Sequence, residues 1–353
     1  MNQRLLLFIK RLYGKSPSII KTVVEKFRFI QNQKRAFNTF LSKDEKKDRM
    51  LVSSLRHDIE SCQKKYLTTP QEYFLFGFRE NVSDEYRSGF LSDQMRNKIL
   101  IDKIGIDIFL QELRNKFTFY KLTAPFFKRG VFLFTHRDCS YDDFCSFCIK
   151  QKNLFLKRNS SSKGRGIITA VVNNAEDARI LYSRLLKDGD DWIIEERICQ
   201  SAEMAEWNES SVNTVRVPSI LKDGKFNVVG PFFRTGRNGA VVDNAGAGGI
   251  FACVDKDTGI LTTDGVDERG RYYVKHPNSN KVYKGWQVPR WKELLSLTEQ
   301  VHRSLPQHIY VGWDFALSDK GWVLVEGNWG QFVSQYNDHI GLKEKFSSLM
   351  GVL

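Results

Sequence analysis

Two carboxylates and an amide near the end of the chain are spaced to hold a cation. In Val311-Gly312-Trp313-Asp314-Phe315-Ala316-Leu317-Ser318-Asp319-Lys320-Gly321-Trp322-Val323-Leu324-Val325-Glu326-Gly327-Asn328, two apolar-rich runs flank the turn residues Asp319-Lys320-Gly321. Gly321 can take the positive φ of a three-residue hairpin loop. Pairing symmetric about Lys320 sets Asp314 opposite Glu326, and the two-residue period of a strand puts Asn328 on the face of Glu326. Cross-strand Cβ atoms lie about 5 Å apart, so two like charges there destabilise a bare sheet. A hard cation turns that penalty into a site. Two carboxylates and an amide oxygen suit Mg²⁺, which completes its shell with phosphate and water. The alternative is a solvated hairpin whose acids face water; Trp313, Phe315, Trp322, Val323 and Val325 argue for a packed sheet instead.

A second group of residues suits phosphate. Lys157 closes the apolar run Leu154-Phe155-Leu156 and precedes Arg158-Asn159-Ser160-Ser161-Ser162-Lys163-Gly164-Arg165-Gly166. Serines and the glycines Gly164 and Gly166 leave backbone N–H groups free for phosphate oxygens, while Lys157, Lys163 and Arg165 add charge. The loop lacks the Gly-Lys-Ser/Thr ending of a Walker motif, and a flexible surface hairpin is the competing reading. Asn213 and Arg216 stand out against an apolar strand. A guanidinium fork grips phosphate or carboxylate at two points, although Arg216 could serve a structural ion pair. No Ser-His-Asp set or nucleophile elbow competes, and His136, His276, His302, His308 and His339 are scattered.

The elements that must position these residues read as α+β. Residues 1 to about 90 are mostly helical, with Lys43–Arg49 a charged helix or linker and Thr68-Thr69-Pro70 a break. Helical patterns then surround the short strand Val131–Phe134. From about residue 151 the chain turns to strands: 154–157, 167–171, 192–195, 215–217 and 228–230. A helix over 175–187 has Asn173 or Asn174 as its N-cap. The alternation favours antiparallel strands in the C-terminal half.

Composition narrows the classes. The 353 residues suit two or three lobes, and 41% hydrophobic with 13% aromatic residues excludes general disorder. Six cysteines occur without a signal-peptide core, and Cys145-Ser146-Phe147-Cys148 sits in an ordinary amphipathic helix pattern without further zinc ligands. Reduced thiols fit the cytoplasm. The net charge of +13 is concentrated N-terminally, where Arg4, Lys10, Arg11, Lys15, Lys21, Lys26, Arg28, Lys34 and Arg35 interleave with apolar residues. Such a face can rest on anionic lipid at the inner side of a membrane, or pack on the protein's own core with its cations in water. No nucleic-acid-binding motif accompanies the charge.

The spacing from Asp314 to Glu326-x-Asn328 on a closing hairpin resembles the metal-binding end of the ATP-grasp superfamily. His276-Pro277, Gly285, Val288-Pro289, Trp291, Gly312-Trp313-Asp314 and Glu326-Gly327-Asn328 together resemble its sugar-transfer-associated branch, with the likeness running from about residue 95 to 345. This implies an ATP-grasp fold: two α/β lobes clasping nucleotide, with a mainly helical N-terminal extension that departs from the family's compact first lobe. The expected divisions are 1–90, a basic helical region; 91–150, a linking subdomain; and 151–345, the nucleotide- and metal-binding lobes.

The resemblance implies ATP and Mg²⁺ as cofactors. It puts Asp314, Glu326 and Asn328 on the metal, and Lys157, Lys163, Gly164 and Gly166 at the phosphates. Trp192–Ile198 becomes a hinge strand whose exposed edge meets adenine through Glu195, Glu196 and Ile198, with Glu203 at the ribose. A first-lobe lysine is expected before residue 110, where Lys98 and Lys103 both fit and Lys103 is preferred. Ser211-x-Asn213-Thr214-x-Arg216 and Arg234 followed by Asn244-x-x-x-Gly248-Gly249 look like elements of glutamate-ligase-like members, giving Arg216, Arg234 and Asn244 catalytic roles. The implied activity activates a carboxylate as an acyl phosphate and joins it to an amine, such as a sugar acid and an amino acid in cell-surface polysaccharide or envelope synthesis. A kinase on the same fold, or a non-catalytic nucleotide- or lipid-binding scaffold for glycosyltransferases, is the alternative. The sequence leaves the oligomeric state open.

Overall fold

A computed structural model describes residues 17–104, 108–159, 166–240, 243, 248–330 and 332–352. Lys163, Gly164, Asn244 and most of the basic pattern up to Lys15 therefore lie outside the described residues. The chain packs as two units, Met1–Asn97 and Lys98–Leu353.

The first unit is helical, with helices Pro17–Phe40, Arg49–Tyr66, Pro70–Leu75 and Asp84–Ser88. Their starts follow capping chemistry. Asp48 accepts the Leu51 N–H, and Thr69 forms a reciprocal capping box with Glu72 while Pro70 opens the helix. Residues 42–47 form turns, with Ser42 and Glu45 exchanging side-chain and backbone bonds, so the charged run is a connector rather than a helix. The core gathers Ile59, Tyr73, Phe76, Phe78 and Phe90. Arg87 is buried within it and is satisfied by both Asp58 oxygens and the Phe78 and Asn81 carbonyls. A buried charge survives only when paired this fully.

The second unit carries two sheets, antiparallel throughout the described residues. One contains β1 (Val131–Phe134), β2 (Asn153–Arg158), β3 (Ile167–Val171) and β4 (Trp192–Glu196), ordered β1-β4-β2-β3. Leu154, Leu156, Trp192 and Ile194 turn one face towards helices Tyr141–Gln151 and Ala175–Asp188. The second helix has Asn174 as its N-cap. Period two puts Lys157 and Glu195 on the opposite face of this sheet. All six cysteines are free thiols, and Cys145 and Cys148 lie on the helix Tyr141–Gln151.

The other sheet contains β5 (Thr214–Lys222), β6 (Lys225–Val228), β7 (Phe232–Thr235), β8 (Ile250–Cys253), β9 (Gly265–Asp267), β10 (Tyr272–Tyr273), β11 (Tyr310–Ser318) and β12 (Gly321–Asn328). Its order is β10-β9-β8-β7-β5-β11-β12, with β6 attached to β5. The expected strand 228–230 is thus only the end of β6, because Gly230 turns away at φ +57°. Trp207, Trp313, Phe315, Trp322 and Leu324 anchor the core, beneath helix Trp291–Arg303 and beside helix Lys116–Phe127. Among the described residues no helix is long and apolar enough to cross a membrane.

The β11–β12 hairpin reaches its expected register by an unexpected route. Ser318 pairs with Gly321, so the loop has two residues rather than three. That shortening alone would slip the ladder by one place. A bulge between Asp314 and Phe315 leaves Val325 out of the ladder and restores Asp314 opposite Glu326. Gly321 has φ +100°, in the region that favours glycine.

Candidate functional site

Asp314 lies on an interior strand, with Arg216 of β5 in register on one side and Glu326 of β12 on the other. One strand beyond β5, Arg234 pairs with Thr214. Sheet register thus lines up guanidinium, carboxylate and carboxylate before any ligand arrives. Arg216 grips both Asp314 oxygens at 2.5 Å, and Arg234 Nη2 adds a contact at 2.9 Å. Arg234 also donates to Thr214 Oγ1 at 2.7 and 2.9 Å, and Thr214 donates to buried Asp243. Burial pushes the Asp243 pKa up.

Burial alone would raise Asp314 as well, but Arg216 and then Arg234 outweigh it and hold its pKa at about 2. Glu326 differs. Desolvation in the cleft, and after it the Asp314 charge, push its pKa up, although 48% of its side chain meets solvent. Asn328 donates from Nδ2 to Glu326 Oε1 at 3.3 Å, and its Oδ1 is buried without a hydrogen-bond partner. A Cβ on Gly330 would stand 2.5 Å from that oxygen. The residues therefore fit a hard divalent cation: the amide oxygen is unspent, Glu326 is open, and Asp314 Oδ1 keeps a second lone pair while Oδ2 is taken up by Arg216 and Arg234. Among the described residues no group of three His, Cys, Asp or Glu side chains could hold a metal ion, so a cation here would need the Asn328 amide as a ligand.

A second cationic group lies on the facing sheet. Lys157 Nζ sits 2.7 Å from Glu195 Oε1, and Arg129 pairs with the same buried carboxylate while donating to the Leu324 carbonyl at 2.6 Å. Burial favours the neutral acid, yet Arg129 and Lys157 reverse that and lower the Glu195 pKa. Lys116 opens helix Lys116–Phe127 after its N-cap Asn115 and feels Glu326, Lys157 and Glu195; burial, first of all, lowers its pKa. The five cations Arg129, Lys116, Lys157, Arg216 and Arg234 thus outnumber the carboxylates Glu195, Asp243, Asp314 and Glu326 by one, a balance that suits an anionic ligand.

Several expected residues stand elsewhere. Lys98 and Lys103 are exposed on helix Asp93–Ile104, and Lys103 Nζ meets the Gly351 carbonyl at 3.0 Å; Lys116 is the lysine drawn to the site. A lysine in a helix's first turn opposes the macrodipole, which was the available signal. Glu195 and Glu196 do not border a free edge, because β4 lies between β1 and β2. Glu195 is spent on its ion pairs, and Glu196 accepts the Gly130 N–H at 2.9 Å. The backbone leaves the ladder only after Arg197 bonds Asn153, at half-buried Ile198, before Gln200 bridges to Ser318. Glu203 is exposed, its pKa lowered by its own backbone N–H and then Ser201, and Arg290 is near. Gly166 has φ +69° at the start of β3. Arg129 carried no sequence signal.

The sequence model of the sugar-transfer associated ATP-grasp family matches residues 145–347, more than half of the chain. No curated protein matches it. Among solved structures, VanG D-Ala:D-Ser ligase from Enterococcus faecalis is 13% identical with a TM-score of 0.43, covering 70% of this chain and 63% of that one. D-alanyl-alanine synthetase A from Vibrio cholerae O1 biovar eltor str. N16961 is 12% identical with a TM-score of 0.41, covering 68% and 65%. Carboxyaminoimidazole ribonucleotide synthase from "asperigillus clavatus", complexed with ATP, is 11% identical with a TM-score of 0.39, covering 67% and 50%. The chain thus spans between half and two thirds of the length of these structures.

Proposed function

This chain belongs to the sugar-transfer associated ATP-grasp family, and from that premise we propose that it is an ATP- and Mg²⁺-dependent ligase joining a carboxylate to an amine. The family description makes cell-surface polysaccharide or envelope assembly the proposed setting, with a sugar acid and an amino acid as the substrate classes. The observation that carries the reading is the pair Asp314 and Glu326 with the orphaned, buried Asn328 Oδ1 beside them. Arg216 and Arg234 already balance Asp314, but the unspent amide oxygen beside the open Glu326 carboxylate is what a hard cation would take up.

In this reading the nucleotide lies between the two sheets, its base against residues 198–199 and its phosphates against Lys157 and Lys116. Magnesium, when bound through Glu326, Asn328 and Asp314, neutralises phosphate charge. Asp314 fixes the planes of Arg216 and Arg234, so both guanidiniums face the cleft without reorganising at the moment of transfer. A substrate carboxylate oxygen attacks the γ-phosphorus and ADP leaves. The amine nitrogen then attacks the acyl carbon, phosphate leaves, and an amide remains. No side-chain nucleophile is required.

The test compares thermal unfolding of wild type and Glu326→Gln with and without Mg²⁺ and ATP, then assays ADP and free phosphate with candidate acids and amines. Ligand at about 100 times its Kd adds roughly 2.7 kcal/mol, a shift of a few degrees. A Mg²⁺-requiring shift weakened in the variant, with ADP and phosphate released together, is expected. ADP with a phosphorylated acceptor and no free phosphate would make the protein a kinase. No shift in either protein would favour the scaffold.

A further inference from the structure

The far edge of the larger sheet carries an unusual combination of exposed side chains. After β9 the chain forms β10, turns at 277–280 and returns to bridge Lys275 with Val282. The ribbon's inner residues are committed to the core. Tyr273 donates to Asp267 at 3.0 Å, His276 meets the Gly236 carbonyl at 2.8 Å, and Tyr283 is fully buried. Its outer residues are not. Tyr272, Val274 and Val282 are 54%, 58% and 47% exposed. Arg269, Arg271, Lys275 and Lys284 are exposed too, and none forms an ion pair among the described residues. Some surface cations of this unit are paired, as in Arg290–Glu293, Arg303–Glu299 and the neighbouring Lys281–Glu206; what sets this face apart is that four unpaired cations share it with exposed apolar side chains. The nearby acids are half-buried Asp264, Glu268 and Asp338, the last close to Tyr272 and two residues before Ile340, itself 63% exposed.

We propose that the outer face of residues 269–284 is a docking surface for an anionic lipid bilayer. Four unspent cations meet the headgroup charge, while a tyrosine and two valines enter the headgroup boundary between them. The apolar side chains select lipid over a nucleic acid, whose phosphates would leave them in water. The short edge also disfavours strand addition by a protein, since β10 has only two residues to pair. The surface is independent of the ligase reading and of the basic residues at the N-terminus.

Sedimentation of the full chain with phosphatidylcholine vesicles, with and without phosphatidylserine, tests this. Wild type should sediment only with the anionic vesicles. The charge variant R269S/R271S/K275S/K284S and the apolar variant Y272S/V274S/V282S should each lose partitioning by about tenfold or more, while melting like wild type. Hydrogen exchange on wild type gives a reading that needs no variant: amides of 271–276 should slow on anionic vesicles. Equal binding to neutral vesicles, variants that bind like wild type, or unchanged exchange at 271–276 would overturn the proposal. So would tighter binding to an RNA oligonucleotide than to vesicles, which would assign the face to nucleic acid.

Discussion

Gly330 stands where any side chain would strike the Asn328 amide: its Cβ would fall 2.5 Å from Asn328 Oδ1 and 2.7 Å from Arg216 Nη1. Both atoms belong to side chains, so the backbone need not move; Asn328 can rotate aside, while Arg216 can shift only against its fork on Asp314. The cost instead falls on function. Gly330→Ala should lose less than about 1 kcal/mol in urea unfolding, yet ATP- and Mg²⁺-dependent stabilisation should largely disappear. Full retention of that stabilisation would mean that the amide and the guanidinium need not hold these positions.

Glu195 is the counter-ion of two buried cations. Glu195→Gln would strand Arg129 and Lys157 in the interior, and breaking a buried pair costs about 3–5 kcal/mol. The Glu195 pKa is lowered on folding, so its contribution is present above the unfolded carboxylate value and is lost as pH falls through the folded one. The variant should therefore be destabilised at pH 7 and lack part of the wild-type acid branch. Denaturant midpoints measured across pH check both; a midpoint unchanged at pH 7 would refute the assignment.

His302 gives an acid sensitivity of another origin. Fully buried, it accepts from Ser219 at 2.7 Å on Nδ1 and donates from Nε2 to the His308 carbonyl at 2.6 Å, while Trp313 donates to Ser219. That arrangement requires the neutral ring, and burial lowers its pKa to about 4. The unfolded chain binds this proton first, so the contribution is complete above the ordinary histidine value and fades as pH falls towards 4. About 3 kcal/mol is at stake. Calorimetry between pH 4 and 7 should show proton uptake on unfolding, reduced in His302→Gln, with His276 and His308 supplying part of the remainder; identical uptake in the variant would place the proton elsewhere.

The hairpin shows how much of this was legible. Asp314 opposite Glu326 followed from counting about a turn centre, and the contact exists. Yet the turn is one residue shorter, and the Val325 bulge supplies the missing step. Pattern reveals which residues share a face; it does not report two compensating irregularities. Strand and helix positions from 131 to 196 were readable because period two and the Asn174 cap are local signals. The adenine-edge expectation depended on strand order, which is long-range: β4 became interior only because β1 returns to pair with it. That Lys116 and not Lys103 lies near Glu326 and Lys157 was hidden for the same reason, since helix-face direction relative to a distant sheet is not written locally.

Arg129 has one further consequence. Its guanidinium holds Glu195 from one sheet and the Leu324 carbonyl from the other. Arg129 therefore bridges the two sheets at this end, in line with the Ser201 N–H bond to the Leu317 carbonyl. The two sheets are thus tied by a side chain whose charge one of them already compensates.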